Sequence, residues 1–119
     1  MISKGLLSEV SGIEIKDVTI CGTSVCYNKT SAILGRVLKG CGYFEGSINI
    51  YALAHKCKEW ALEYGYVLYS AIMLSTDSYK HSCFIPDSII MGTKRWYAGT
   101  EPEAIFKACE WILDNKGIS

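Results

Sequence analysis

The chain has 119 residues, half of them apolar, with twelve basic side chains balanced by twelve acidic ones. This length supports one core of ordinary size, and its apolar content at zero net charge excludes an intrinsically disordered chain. Without excess positive charge there is no footprint for phosphate-driven binding, and no apolar run reaches the roughly 18 residues of a membrane helix. The opening segment MISKGLLSEVSG lacks the apolar centre of a secretory signal, because Glu9 interrupts its short run. The expected compartment is therefore the cytoplasm. Six cysteines (Cys21, Cys26, Cys41, Cys57, Cys83, Cys109) are then expected to be reduced and mostly buried.

In chain order, Ser3 is placed to cap a short helix, with Ile2 and Leu7 as a hydrophobic staple and Gly12 as the stop. Alternation at Ile13, Ile15, Val18 and Ile20 predicts a half-buried strand. Gly22, Thr23 and Ser24 read as a turn into a returning strand, Val25 to Tyr27. The segment SAILGRVLKGCGYFEG is broken by Gly35, Gly40, Gly42 and Gly46 and reads as a glycine-rich loop. Asn49 caps a strongly amphipathic helix whose buried face is Ile50, Leu53, Ala54, Cys57, Ala61 and Tyr64, with Gly65 as the stop.

Tyr66 to Leu74 follows, apolar on both faces, as in a strand covered on both sides by helices or by a second subunit. HSCFI, SIIMG and KRWYAG read as further short strands. Thr100 and Glu103 form a capping box around Pro102, opening a last helix with Ile105, Ala108, Cys109 and Ile112 buried and Gly117 as its end. The expected order is α-β-β-loop-α-β-β-β-α: an α+β domain, a short, mostly antiparallel sheet packed with two or three helices. It forms one domain over 1–119, with helix, hairpin and glycine-rich loop over 1–47 and a helix–sheet–helix unit over 48–117. The motif Lys56-x-x-Glu59-Trp60-x-Leu62 recurs as Lys107-x-x-Glu110-Trp111-x-Leu113 and reads as a pair of packing helices.

No single motif carries chemistry. Structural zinc sites use closely spaced cysteine pairs, and the nearest pair here, Cys21-x4-Cys26, flanks a hairpin turn with no second pair. His55 and Cys57 point about 200° apart on a helix. Cys41, or Cys83 beside His81, supplies a nucleophile for thiol catalysis, with His81 or His55 as base, but no orienting third residue announces itself. Glu101 and Glu103 are accounted for by the helix cap and dipole. No P-loop, dinucleotide fingerprint, HExxH or GxSxG occurs.

Lys94, Arg95, Trp96 and Tyr97 form the one basic-aromatic cluster, the candidate nucleic-acid contact being Lys94 and Arg95. The α-β-β-β-α order resembles the double-stranded-RNA-binding domain in topology only, since the last helix starts with Thr100-Glu101-Pro102-Glu103, which repels phosphate. Nucleic acid is therefore not the expected partner. The candidate small-ligand residues are Cys41, Tyr43 and Phe44 in the glycine-rich loop, together with Trp96 and Tyr97.

Residues 48–66 and 100–113, INIYALAHKCKEWALEYGY and TEPEAIFKACEWIL, resemble small proteins encoded in bacteriophages and prophages. The grouping they resemble is the phage ABA (α-β-α) sandwich domain family, over about residues 48 to 115. The resemblance implies a fold and a genomic setting, with no activity and no functional residues to carry over. The expected function is that of an accessory protein acting by binding rather than catalysis, with no cofactor and no metal. Its expected partner is a second copy or another protein. The alternatives are sequestration of a nucleotide or small ligand, then a cysteine-dependent enzyme or a zinc-binding module.

Overall fold

A computed structural model describes residues 2–29, 44–74, 79–86 and 94–115. The elements are α1 (Lys4–Ser11), β1 (Val18–Cys21), β2 (Ser24–Lys29), β3 (Phe44–Asn49), α2 (Ile50–Glu63), β4 (Tyr69–Leu74), β5 (Tyr79–Ile85), β6 (Lys94–Ala98) and α3 (Glu101–Asn115). The fold is α+β. Its strands divide into two antiparallel three-stranded sheets, β1-β2-β3 and β4-β5-β6, where the sequence pattern led us to expect one.

Local punctuation sets the helices. The Ser3 hydroxyl accepts from the Leu6 N–H, and Ile2 and Leu7 are both buried. Asn49 Oδ1 accepts from the N–H groups of Tyr51 and Ala52. At the other end of α2, Gly65 has φ +87°, and the Gly65 and Tyr66 N–H groups donate to the carbonyls of Leu62 and Ala61. This pair of bonds absorbs two orphan carbonyls and needs the left-handed conformation that glycine adopts without strain. Tyr64, expected on the buried face, is 42% exposed, and Trp60 takes its place in the core. Thr100 Oγ1 accepts from the Glu103 N–H, as the capping box requires. Gly117, the expected end of the last helix, lies outside the described residues.

The first sheet corrects two expectations. The predicted strand over 13–20 begins only at Val18, because the Asn28 side chain takes the backbone groups that a longer strand would need. Asn28 Oδ1 accepts from the Lys16 N–H at 2.6 Å, and Nδ2 donates to the Glu14 carbonyl at 2.9 Å. The second correction is β3. Phe44 and Gly46, read as part of a loop, belong to a strand paired with β2, with Phe44 opposite Lys29 and Gly46 opposite Tyr27. The hydroxyl end of the Tyr27 ring lies against Gly46, where a Cβ would collide with it. Glycine here is a packing requirement and does not mark a turn. The SIIMG segment lies outside the described residues, and KRWYA supplies the third strand of the second sheet.

After α1 the chain therefore runs through two βββα units. Val18 and Tyr69 open their first strands, and Ile50 and Glu101 open their helices, both pairs 51 positions apart. The shared K-x-x-E-W-x-L motif starts at the seventh residue of each helix. The two helices do pack against each other, and their matching residues do different work. Glu59 pairs with His55 on the surface, whereas Glu110 receives the Ser3 N–H and the Ser3 hydroxyl, both at 2.9 Å. The core lies between the helices and one face of each sheet, centred on Leu6, Leu7, Val25, Leu53, Ile105, Phe106 and Ile112. The smallest Cα dimension is 17 Å, room for one layer of strands against one layer of helices.

Candidate functional site

The pleat of β6 splits the basic-aromatic cluster. Successive residues of a strand point to opposite faces, so Lys94 and Trp96 face the helices while Arg95 and Tyr97 face away. Trp96 meets Trp111 with ring centroids 5.9 Å apart, and Lys94 Nζ lies 4.8 Å from the Trp111 ring centroid. Tyr66 packs edge-on against the same ring at 5.8 Å. Trp96 and Lys94 are thus committed to packing.

On the other face, the registers of β4, β5 and β6 bring Tyr69, Phe84 and Arg95 into one row. Tyr69 stacks on Phe84 at 5.5 Å with an 18° interplanar angle, and the Arg95 guanidinium covers Phe84 at 4.6 Å. Arg95 Nη1 also donates to the buried Ser82 hydroxyl at 3.3 Å. The next row is Ala71, Ser82 and Tyr97. Tyr69 is 50% exposed and Tyr97 46%, and across the pleat Ile72 on β4 is 64% exposed. The second sheet packs mainly with α3, on the opposite face, where Lys58 Nζ of α2 also donates to the Ser70 hydroxyl at 3.2 Å.

The other candidate ligand residues do not join this surface. Phe44 lies in the first sheet, and Cys41 and Tyr43 lie outside the described residues. Sequence reasoning missed Tyr69, Phe84 and Ile72. Tyr69 and Ile72 belong to the apolar run on β4, which reads as a strand covered on both sides, and nothing in that run identifies Phe84 across from it.

The thiols are placed against reactivity. Cys57, Cys83 and Cys109 are completely buried where α2, α3 and β5 meet, and the Cys109 thiol donates to the Cys57 carbonyl at 3.6 Å. Burial pushes the Cys83 thiol up to about 12, with the neighbouring Cys109 adding to the rise. The hydrogen bond with Cys57, followed by burial, drives the Cys109 thiol higher still. His81 shares the face of Cys83, as the spacing predicts, but a thiol held protonated is not a nucleophile. Cys21 and Cys26 lie on one face of the first hairpin, Cys21 half-buried and Cys26 buried. No group of three histidine, cysteine or acidic side chains among the described residues is arranged to hold a metal ion.

One cleft of about 340 Å³ opens between α1, α2 and the first sheet. Leu7, Val10, Tyr27, Ile48 and Leu53 line it, and Lys56 stands beside them. It is a shallow apolar hollow with a cation, large enough for a small molecule. No helix among the described residues is long and apolar enough to cross a membrane. Comparison of the chain with protein-family models, curated proteins and solved structures finds no match.

Proposed function

We propose that this chain is a small cytoplasmic accessory protein, of phage or prophage type, that works by binding a protein partner or a second copy of itself. The observation carrying this reading is the second sheet. It exposes Tyr69 and Tyr97 on the face away from the helices and Ile72 on the other, while the neighbouring thiols are sealed in the core. Large apolar side chains exposed together on one sheet are the mark of an interaction site. The phage setting rests on the sequence resemblance of residues 48–66 and 100–113.

Alkylation of the native protein with iodoacetamide tests the exclusion of thiol chemistry. Cys57, Cys83 and Cys109 should stay unmodified until the chain is unfolded. Rapid native labelling of any of them would raise a thiol enzyme above the binding reading.

The cleft beside α1 supports a second reading, sequestration of a small anionic or flat ligand by Tyr27 and Lys56. Titration with a panel of nucleotides, followed by the fluorescence of Tyr27 and its neighbours, is expected to show saturation if that reading holds. A Lys56→Ala variant that binds equally well would dispose of it.

A further inference from the structure

Sheet edges offer unpaired backbone N–H and C=O groups, and natural proteins blunt them with charge, glycine kinks, short length or bound side chains. The two sheets have four edge strands among the described residues: β1, β3, β4 and β6. β1 has only four residues and follows Lys16 and Asp17. β3 carries Glu45 and Gly46. β6 begins Lys94-Arg95, and its Tyr97 carbonyl accepts from Lys107 Nζ at 2.7 Å. β4 is the least protected, although Lys58 Nζ donates to its Ser70 hydroxyl at 3.2 Å. Its six residues, YSAIML, include no charge, proline or glycine, and Ile72 at its middle is 64% exposed. Left open, such an edge is a template for uncontrolled pairing.

We infer that β4 pairs antiparallel with β4 of a second copy, joining two second sheets into one six-stranded sheet. This proposal rests on the binding reading above and specifies its occupant. Only another strand satisfies a row of backbone donors and acceptors, and a strand apolar on both faces matches itself. Symmetry restricts the geometry further. A two-fold relating antiparallel strands stands perpendicular to the sheet, so α3 of both copies lies on the same side. Directly opposed residues in such a pair point to the same face, so the axis passes midway between a residue and its own copy. Centring on Ile72 sets two aliphatic side chains, each 64% exposed in the single chain, against each other.

Native mass spectrometry of the reduced protein should read twice the 13.2 kDa chain mass. Ile72→Lys, a change at an exposed position, should give a monomer with an unchanged circular dichroism spectrum. Ile72→Cys should form a covalent dimer when oxidised glutathione removes two electrons and two protons from the facing thiols. Tyr97→Cys, on β6, should not. A wild-type monomer well above micromolar concentration overturns the self-pairing, leaving a different protein partner as the binding reading. A dimer that persists in Ile72→Lys overturns the β4 contact, and one that fails to crosslink through Ile72→Cys overturns the register. Rapid native labelling of Cys57, Cys83 or Cys109 would sink the binding reading without touching the dimer.

Discussion

Asn28 and Glu45 meet across β2 and β3, Asn28 Nδ2 donating to Glu45 Oε2 at 2.8 Å. Asn28 is the one described non-glycine residue in the left-handed region, at φ +56°, and it is nearly buried. Asparagine is among the few residues that tolerate this conformation. Here its amide binds the Glu14–Lys16 segment on one side and β3 on the other.

Replacing Asn28 by aspartate keeps the shape but aims a carboxylate at Glu45 and at the Glu14 carbonyl. Asn28→Asp should lower stability by about 2–4 kcal/mol, from lost donors and like-charge contact. Asn28→Gly keeps the backbone conformation and should cost about half as much. Urea denaturation of both variants checks the order, which would reverse if the bond from the Lys16 N–H, lost only in Asn28→Gly, outweighed the like-charge contact.

Gly46 and Tyr27 make a coupled pair. Gly46→Ala displaces the ring packed over it and should cost about 1–3 kcal/mol, in the range of overpacking. In a Tyr27→Ser background the same change should be nearly neutral, because alanine is otherwise preferred over glycine within a strand. A double-mutant cycle by chemical denaturation measures the difference.

Ser3→Ala removes both the α1 cap and one of two bonds to Glu110. The expected loss is about 1–2 kcal/mol, and Glu110→Ala should lose a similar amount. Because the two residues share one contact, the double variant should be less destabilised than the sum of the single ones. Strict additivity would mean that the bond from the Ser3 hydroxyl to Glu110, 107 positions along the chain, contributes nothing to stability.

The buried thiols make an alkaline prediction. Cys83 is raised in the folded state from its usual 9.0 to about 12, so between these values the unfolded chain loses a proton that the folded chain keeps. Its contribution is complete below pH 9 and declines from pH 9 to 12, with a limiting slope of about 1.4 kcal/mol per pH unit. Thermal denaturation from pH 8 to 11 should show a steeper loss for the wild type than for Cys83→Ala. Equal slopes would place the thiol in a more open environment than the core.

The helices were legible because their signals are local: Ser3, Asn49 and Thr100 each stand at the start of an apolar repeat of helical period. β3 was not, since FEGSIN contains a glycine whose role depends on Tyr27, nineteen residues earlier in the chain. The truncation of β1 depends on Asn28 in the same way, through a side chain whose partners sequence spacing does not reveal. The candidate surface divides along similar lines. The exposed character of β4 was visible as an apolar strand needing a cover, and the separation of Arg95 from Trp96 follows from the pleat. The row of Tyr69, Phe84 and Arg95 depends on the registers of β4–β5 and β5–β6, which periodicity alone leaves open.

The tie between Ser3 and Glu110 also orders events in time. α1 leaves the ribosome before every other described element, yet its anchoring carboxylate belongs to the last described helix. Until α3 emerges, Ile2, Leu6 and Leu7 have no complete core to enter. α1 is therefore synthesised well ahead of the helix that anchors it. A nascent chain stalled before α3 would display that apolar helix to chaperones and proteases.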